Sequence, residues 1–291
     1  MLLLQTLLDG LILGGIFSLS AVGFSLIFGV LNVVNLAHGM FVIAGAYIAF
    51  LLKVSLGLDP LLSIPIVFCL LAAVGYVGQT TLIARAIRRG ALINSLLITF
   101  GASLVLRNVV VLLLGPDIRT LDSHWSFSSL HFGPLIVDGA RCTGLLVALM
   151  LLALLWLTLE RSSFGKAVRA TAQQEFAAGL CGVDTAAIYG LTFALSAGLA
   201  GVSGVVIGMI GPFSPTDEAI WTLNAFVAVV LGGIGSPIGA LVGGLMLGLV
   251  NTFASQYVGS EFPNVFMFAV LLMMLLMRPH GILGNAFKGS V

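Results

Sequence analysis

Charge is what this sequence is short of. Its 291 residues carry 12 Lys plus Arg and 11 Asp plus Glu, 8% of the chain, where soluble domains carry about a quarter. So few charges cannot cover the water-facing surface of a chain that is 59% hydrophobic. That excludes a soluble globular protein and a disordered chain. Cysteine is scarce too: Cys69, Cys142 and Cys181 share no metal or redox spacing, which excludes a disulfide-stapled module and leaves packing residues or free thiols. A net charge of +1 implies no nucleic-acid partner. The opening MLLLQTLLDG lacks the basic start of a signal peptide, and Asp9 interrupts it, so the first apolar segment is expected to be retained. Glycine, by contrast, is plentiful at 36 residues, as in transmembrane helices that pack closely. The apolar residues run on without the alternation of a β-barrel. The expected fold is all-α, a polytopic transmembrane bundle.

The positions of the few charges divide the chain. Charge-free runs cover 10–52, 60–84, 90–106, 142–159, 185–216, 219–260 and 262–277. One crossing needs about 20 residues, so 10–52 and 219–260 must each turn or break. GVLNVVNLAHG (29–39) and LGGIGSPIG (231–239) offer the interruptions. Two broken segments in two halves point to an internal repeat and a transport pathway. The reading is one transmembrane domain over 1–291, with halves near 1–140 and 141–291, about eight or nine crossings, and pathway candidates Asn32, Asn35, His38, Gly39, Gly232, Gly233, Gly235 and Ser236. Arg107 is expected to snorkel from near a helix end. Basic residues concentrate at Arg85, Arg88, Arg89, Arg161, Lys166, Arg169, Arg278 and Lys288. The positive-inside rule makes those regions and the C-terminus cytoplasmic. Lys53, Asp59, 115–141, Asp217, Glu218 and Glu261 then face outward.

Spacing by three puts Asn32, Asn35 and His38 on one face if they are helical. They either line a path or hold the bundle by hydrogen bonds. A helix restarting near Leu36–Gly39 would aim free N–H groups at a carboxylate or carbonyl. The spacings Gly10/Gly14, Gly204/Gly208, Gly235/Gly239/Gly243 and Gly244/Gly248 read as close packing. Cytoplasmic loop 160–184 is expected to hold a short helix from Lys166 to Leu180, ended by Gly179 and Gly182. Asp184 or Thr185 would cap the next span. That loop is either a solvated connector or a docking element. No lysine stands in a P-loop, so ATP energy would have to come from another subunit. Gly201-Val202-Ser203-Gly204 matches the GxSG of rhomboid proteases, but the only later histidine, His280, follows the last span. A serine without a base is not activated.

NLAHG (35–39), GAY (45–47), GKAVRATAQQEFAAGLCGVDT (165–185), VVLGGIGSPIGALVGGLMLG (229–248) and RPHGILG (278–284) together resemble LivH-type permeases of branched-chain amino acid ABC transporters, in order along nearly the whole chain. The resemblance implies a non-enzymatic permease subunit of a bacterial inner-membrane ABC importer. Its partners would be a LivM-like second permease, two cytoplasmic ATPases that hold ATP and Mg, and an external substrate-binding protein. It also implies that Arg169, Glu175, Ala178, Gly179 and Gly182 belong to a segment seated on an ATPase. Glu175-Phe176-Ala177-Ala178 matches the EAA signature of such importers loosely. Some relatives carry an acid after the His-Gly pair, where this chain has Met40. Urea and short amides are alternative cargoes. From another class, a stand-alone gradient-driven carrier or channel would have to rely on Arg107 and His38.

Overall fold

The computed structural model describes residues 2–85, 92–124, 129–132, 135–278 and 280–283. Arg88, Arg89 and Lys288 of the charge map, and Gly284 of the terminal motif, lie outside the described residues. Eleven helices are present among the described residues: α1 (Leu2–Leu31), α2 (His38–Leu56), α3 (Pro60–Gly78, continued by a π-turn, Gln79–Ile83), α4 (Leu92–Leu114), α5 (Gly139–Arg161), α6 (Ser163–Gln173), α7 (Glu175–Leu180), α8 (Thr185–Ile210), α9 (Glu218–Gly232), α10 (Pro237–Tyr257) and α11 (Pro263–Met277). A small antiparallel ribbon, β1 (Leu130–Phe132) with β2 (Leu135–Val137), precedes α5. Among the described residues, seven helices are long and apolar enough to cross a membrane: α1, α2, α3 with its π-turn, α4, α5, α8 and α10. That is fewer than the eight or nine crossings expected; α9 and α11, at 15 residues each, are shorter than the roughly 20 residues one crossing needs.

Both expected breaks are there. Residues 32–37 separate α1 from α2, and 233–236 separate α9 from α10. Local chemistry sets the second turn: Gly233 and Gly235 take positive φ of 117° and 80°, Pro237 opens α10, and Ser236 caps it by accepting from Gly239 N–H at 3.0 Å. Asp59, Asp138 and Asp184 cap α3, α5 and α8 in the same way, each satisfying an orphan N–H of its first turn.

The long α1 and α8 form the centre, each largely buried. Glycine lets their neighbours approach. A Cβ on Gly14 would come within 2.7 Å of Leu245 Cα, and Ser18 Oγ donates across the same seam to Leu241 O at 2.8 Å. Gly244 and Gly248 face the opposite side of that α1–α10 contact, Gly204 meets Val42 on α2, and Gly239 and Gly243 meet α9. The small-residue spacings are packing devices, as expected. One end of the bundle gathers the start of α1 (Asp9 with Arg141, 3.6 Å), the α2–α3 turn (Asp59 with Ser123, 2.8 Å) and the Arg119–Phe213 bridge. The other gathers the end of α1, α6, α7, turn 233–236 and residues 281–283. There Ile282 N–H and Leu283 N–H donate to Leu231 O and Gly232 O at 3.0 and 2.8 Å, closing the last carbonyls of α9 that its own helix leaves open.

Candidate functional site

The break after α1 does not simply turn at a surface. Ser20 Oγ lies 3.0 Å from His38 Nε2, although Ser20 sits eleven residues before the end of α1. Along a helix that is about 16 Å, and six extended residues reach about 20 Å. Residues 32–37 therefore double back along α1, and α2 starts inside the bundle with His38 fully buried. Phe24 packs edge-on against the imidazole at 5.2 Å.

A second helix starts at the same place. After α8, residues 211–217 lead back in through a 3₁₀ turn (Pro215–Asp217) to Glu218, which is 5% exposed. α9 then runs alongside α1 in the same direction, Trp221 on Phe17 and Phe226 on Phe24. The two starts are joined directly: Gly39 N–H donates to Thr222 Oγ1 at 2.9 Å, and Thr222 Oγ1 in turn donates to Glu218 O at 2.9 Å. Gly39 is obligatory there, because a Cβ would run into Glu218 O and stand 2.7 Å from Thr222 N. Leu36 N–H donates to Thr99 Oγ1 at 3.2 Å, and Ala37 N–H to Asn35 Oδ1 at 3.1 Å. Threonine hydroxyls and one asparagine thus take up N–H groups around the start of α2. Asn35 also borders an apolar cavity of about 450 Å³ with Phe41, Thr99 and Phe193.

The structure corrects three expectations. Asn32, Asn35 and His38 share no helical face: Asn32 is exposed with φ +52° and Asn35 lies in the non-helical return, opening the turn that His38 N–H closes on its carbonyl at 3.2 Å. Arg107 does not snorkel; its Nη1 pairs with Glu218 Oε1 at 3.1 Å, so Glu218 belongs to the interior and not to an outer loop. The pathway candidates fall at two places: Gly39 meets the start of α9, whereas Gly232, Gly233, Gly235 and Ser236 lie at its far end, where Gly235 meets Gly29, roughly 22 Å away for 15 helical residues. Finally, 166–180 is two helices, because Gln174 is extended (φ −157°, ψ 105°) with no Pro or Gly to announce the break. Ser20, Thr99, Thr222 and Glu218 escaped notice as partners of this region; isolated Ser and Thr in apolar runs were the available signal.

The loop between the halves is sharply built. Ser162 caps α6 through Gly165 N–H at 3.0 Å, and Arg169 donates to Leu159 O and pairs with Glu160 at 3.6 Å. α7 ends in a Schellman turn: Val183 N–H to Ala178 O at 3.1 Å, Gly182 N–H to Gly179 O at 3.0 Å, Gly182 at φ +84°. That left-handed position suits glycine. Ala178 points inward, while Glu175, Gly179 and Gly182 face out. Phe176 and Leu180, one turn apart and 74% and 75% exposed, form an apolar face that sequence reading did not single out. Ser203 Oγ donates to Ala200 O at 2.7 Å and has no histidine partner among the described residues.

Residues 6–277 match the family described as the branched-chain amino acid transport system permease component. The chain is 32% identical to the high-affinity branched-chain amino acid permease BraD of Pseudomonas aeruginosa, over 97% of this chain and 96% of that one. It is equally similar, over the same shares, to LivH of Escherichia coli. A more distant relative is LivM of Salmonella typhimurium, 25% identical over 92% of this chain and 68% of that one. No solved structure matches.

Proposed function

The chain belongs to the family of permease components of branched-chain amino acid transport systems, and from that premise we propose that it carries a branched-chain or other small amino acid as one permease subunit of an ABC importer in the bacterial inner membrane. The observation that carries the proposal is the length of the match: it spans both buried helix starts and the α6–α7 loop.

The second permease is a LivM-like subunit, in keeping with the weaker similarity to LivM. The end holding α6, α7 and residues 281–283 faces the cytoplasm, in keeping with its Arg161, Lys166, Arg169 and Arg278. ATP is hydrolysed on partner ATPases, and α7 seats on one of them by Phe176 and Leu180, with Glu175, Gly179 and Gly182 at the contact and Arg169 and Ala178 fixing the loop from within. An external binding protein delivers substrate at the end formed by 115–124 and 211–214. The two halves, near 1–140 and 141–291, act as repeats of one domain. In support, α1 with α2 and α8 with α9 each pair a long central helix with a short return and a helix that begins inside the bundle.

The substrate passes the meeting point of those starts, at Asn35, His38, Gly39 and Thr222. The turn with Gly232, Gly233, Gly235 and Ser236 forms the cytoplasmic exit, and Asn32 stands at that same end. Alternating access then amounts to changing which end of the meeting point is open. The test is ATP-dependent uptake by the complete transporter in proteoliposomes. Leucine, isoleucine or valine should accumulate; urea or short amides moving in their place would overturn the substrate assignment. Uptake that persists without the ATPases would overturn the ABC mechanism.

A further inference from the structure

Inside this bundle a pair of opposite charges is held with an incomplete set of partners. Arg107 Nη1 reaches from α4 to Glu218 Oε1 at 3.1 Å, with the carboxylate side chain 6% exposed and the guanidinium 33%. The other oxygen, Glu218 Oε2, is buried and has no hydrogen-bond partner among the described residues, though buried carboxylate oxygens ordinarily accept. Glu218 opens the 15-residue α9, whose N-terminal dipole end favours a negative charge there. Its backbone lies against Gly39, and Thr222 joins it to the start of α2. The site therefore offers a free acceptor beside a guanidinium that is one-third open, at the point where the two interior helices start.

An anion entering this site would take Arg107 and leave Glu218 buried and unpaired, which is costly, and a cation would compete with Arg107 for the same carboxylate. A zwitterion brings both signs. Its carboxylate suits the guanidinium, planar and forked, and its ammonium suits the free carboxylate oxygen. All four charges then stay paired. An uncharged amide or urea offers no such exchange. We propose that Arg107 and Glu218 form the intramembrane recognition point for the carboxylate and ammonium groups of the passing amino acid. Thr222 is a positioning residue that locks Glu218 to Gly39. The inference rests on the amino-acid reading above and names the groups recognised.

The test uses the complete transporter in proteoliposomes and reads leucine carried per ATP hydrolysed. Wild type checks the underlying reading by itself: carriage of urea or a short amide without leucine overturns that reading and this inference together. The double variant Arg107→Gln/Glu218→Gln removes both charges at once, so neither is left buried alone. It should assemble with its partner subunits, while leucine carried per ATP falls about tenfold or more. Undiminished leucine transport by this variant overturns the inference and leaves the pair as a structural strut. If the double variant does not assemble, Glu218→Asp decides, since it keeps both charges and draws the carboxylate back by one methylene. Leucine per ATP should fall several-fold; an unchanged value overturns the proposal.

Discussion

Gly39 shows how much one missing methyl group decides. Its N–H is held by Thr222 Oγ1, and its α-hydrogen faces the first turn of α9. Alanine there would drive Glu218 and Thr222 away and open the junction of the two interior helix starts. Overpacking of a tight core commonly costs about 1–3 kcal/mol, and Gly39→Ala should fall in that range. The check is the thermal midpoint of the purified permease in detergent; an unchanged midpoint would mean that the two helices slide apart freely. The serines and threonines around this junction act similarly. Ser20, Thr99 and Thr222 each meet a polar group of a neighbouring segment, an interaction worth roughly 0.6–2 kcal/mol within a membrane. Their sequence signature is faint, because a lone hydroxyl in an apolar helix is just as often bonded to its own preceding turn, as Ser203 is.

At the scale of elements, the sequence announced the end of α7 at Gly182 but not its start after Gln174. Gly182 stands where the chain needs a left-handed residue, and Val183 and Gly182 close the turn on Ala178 and Gly179. Gly182→Val should cost about 1–2 kcal/mol in that turn and turn Phe176 and Leu180 from their common direction. If that face seats on an ATPase, ATP-coupled uptake is lost and the ATPases no longer co-purify with the permeases. Wild-type uptake and co-purification by Gly182→Val would refute the docking role. The breaks at 32–37 and 233–236 were legible for an arithmetic reason: charge-free runs twice the length of one crossing cannot be single helices. The interior start of α9 was not legible. Asp217 and Glu218 end a charge-free run, and charges at such an edge read as surface residues. Only the partner on α4, more than a hundred positions away, shows that Glu218 lies inside.

For the molecule as a whole, the sequence disclosed its class, its two broken runs and the basic character of one end, since these depend on totals and positions of charge. It withheld which segments meet, since Gly39 and Thr222 are joined by folding and not by spacing. The bundle has two distinct ends, with Asp122 and Ser123 at one and Phe176 and Leu180 at the other. In a variant freed of Cys69, Cys142 and Cys181, a cysteine at Ser123 should react with a membrane-impermeant thiol reagent added outside intact cells. One at Phe176 should react only after the membrane is opened; the reverse pattern would invert the orientation. The strap of Ile282 and Leu283 over the last carbonyls of α9 has a consequence for biogenesis. Those residues leave the ribosome only after α10 and α11 have been made. The helix bearing Glu218 and Thr222 therefore waits with one end unsealed while the rest of the bundle is inserted, and its closure is a late event in the protein's maturation.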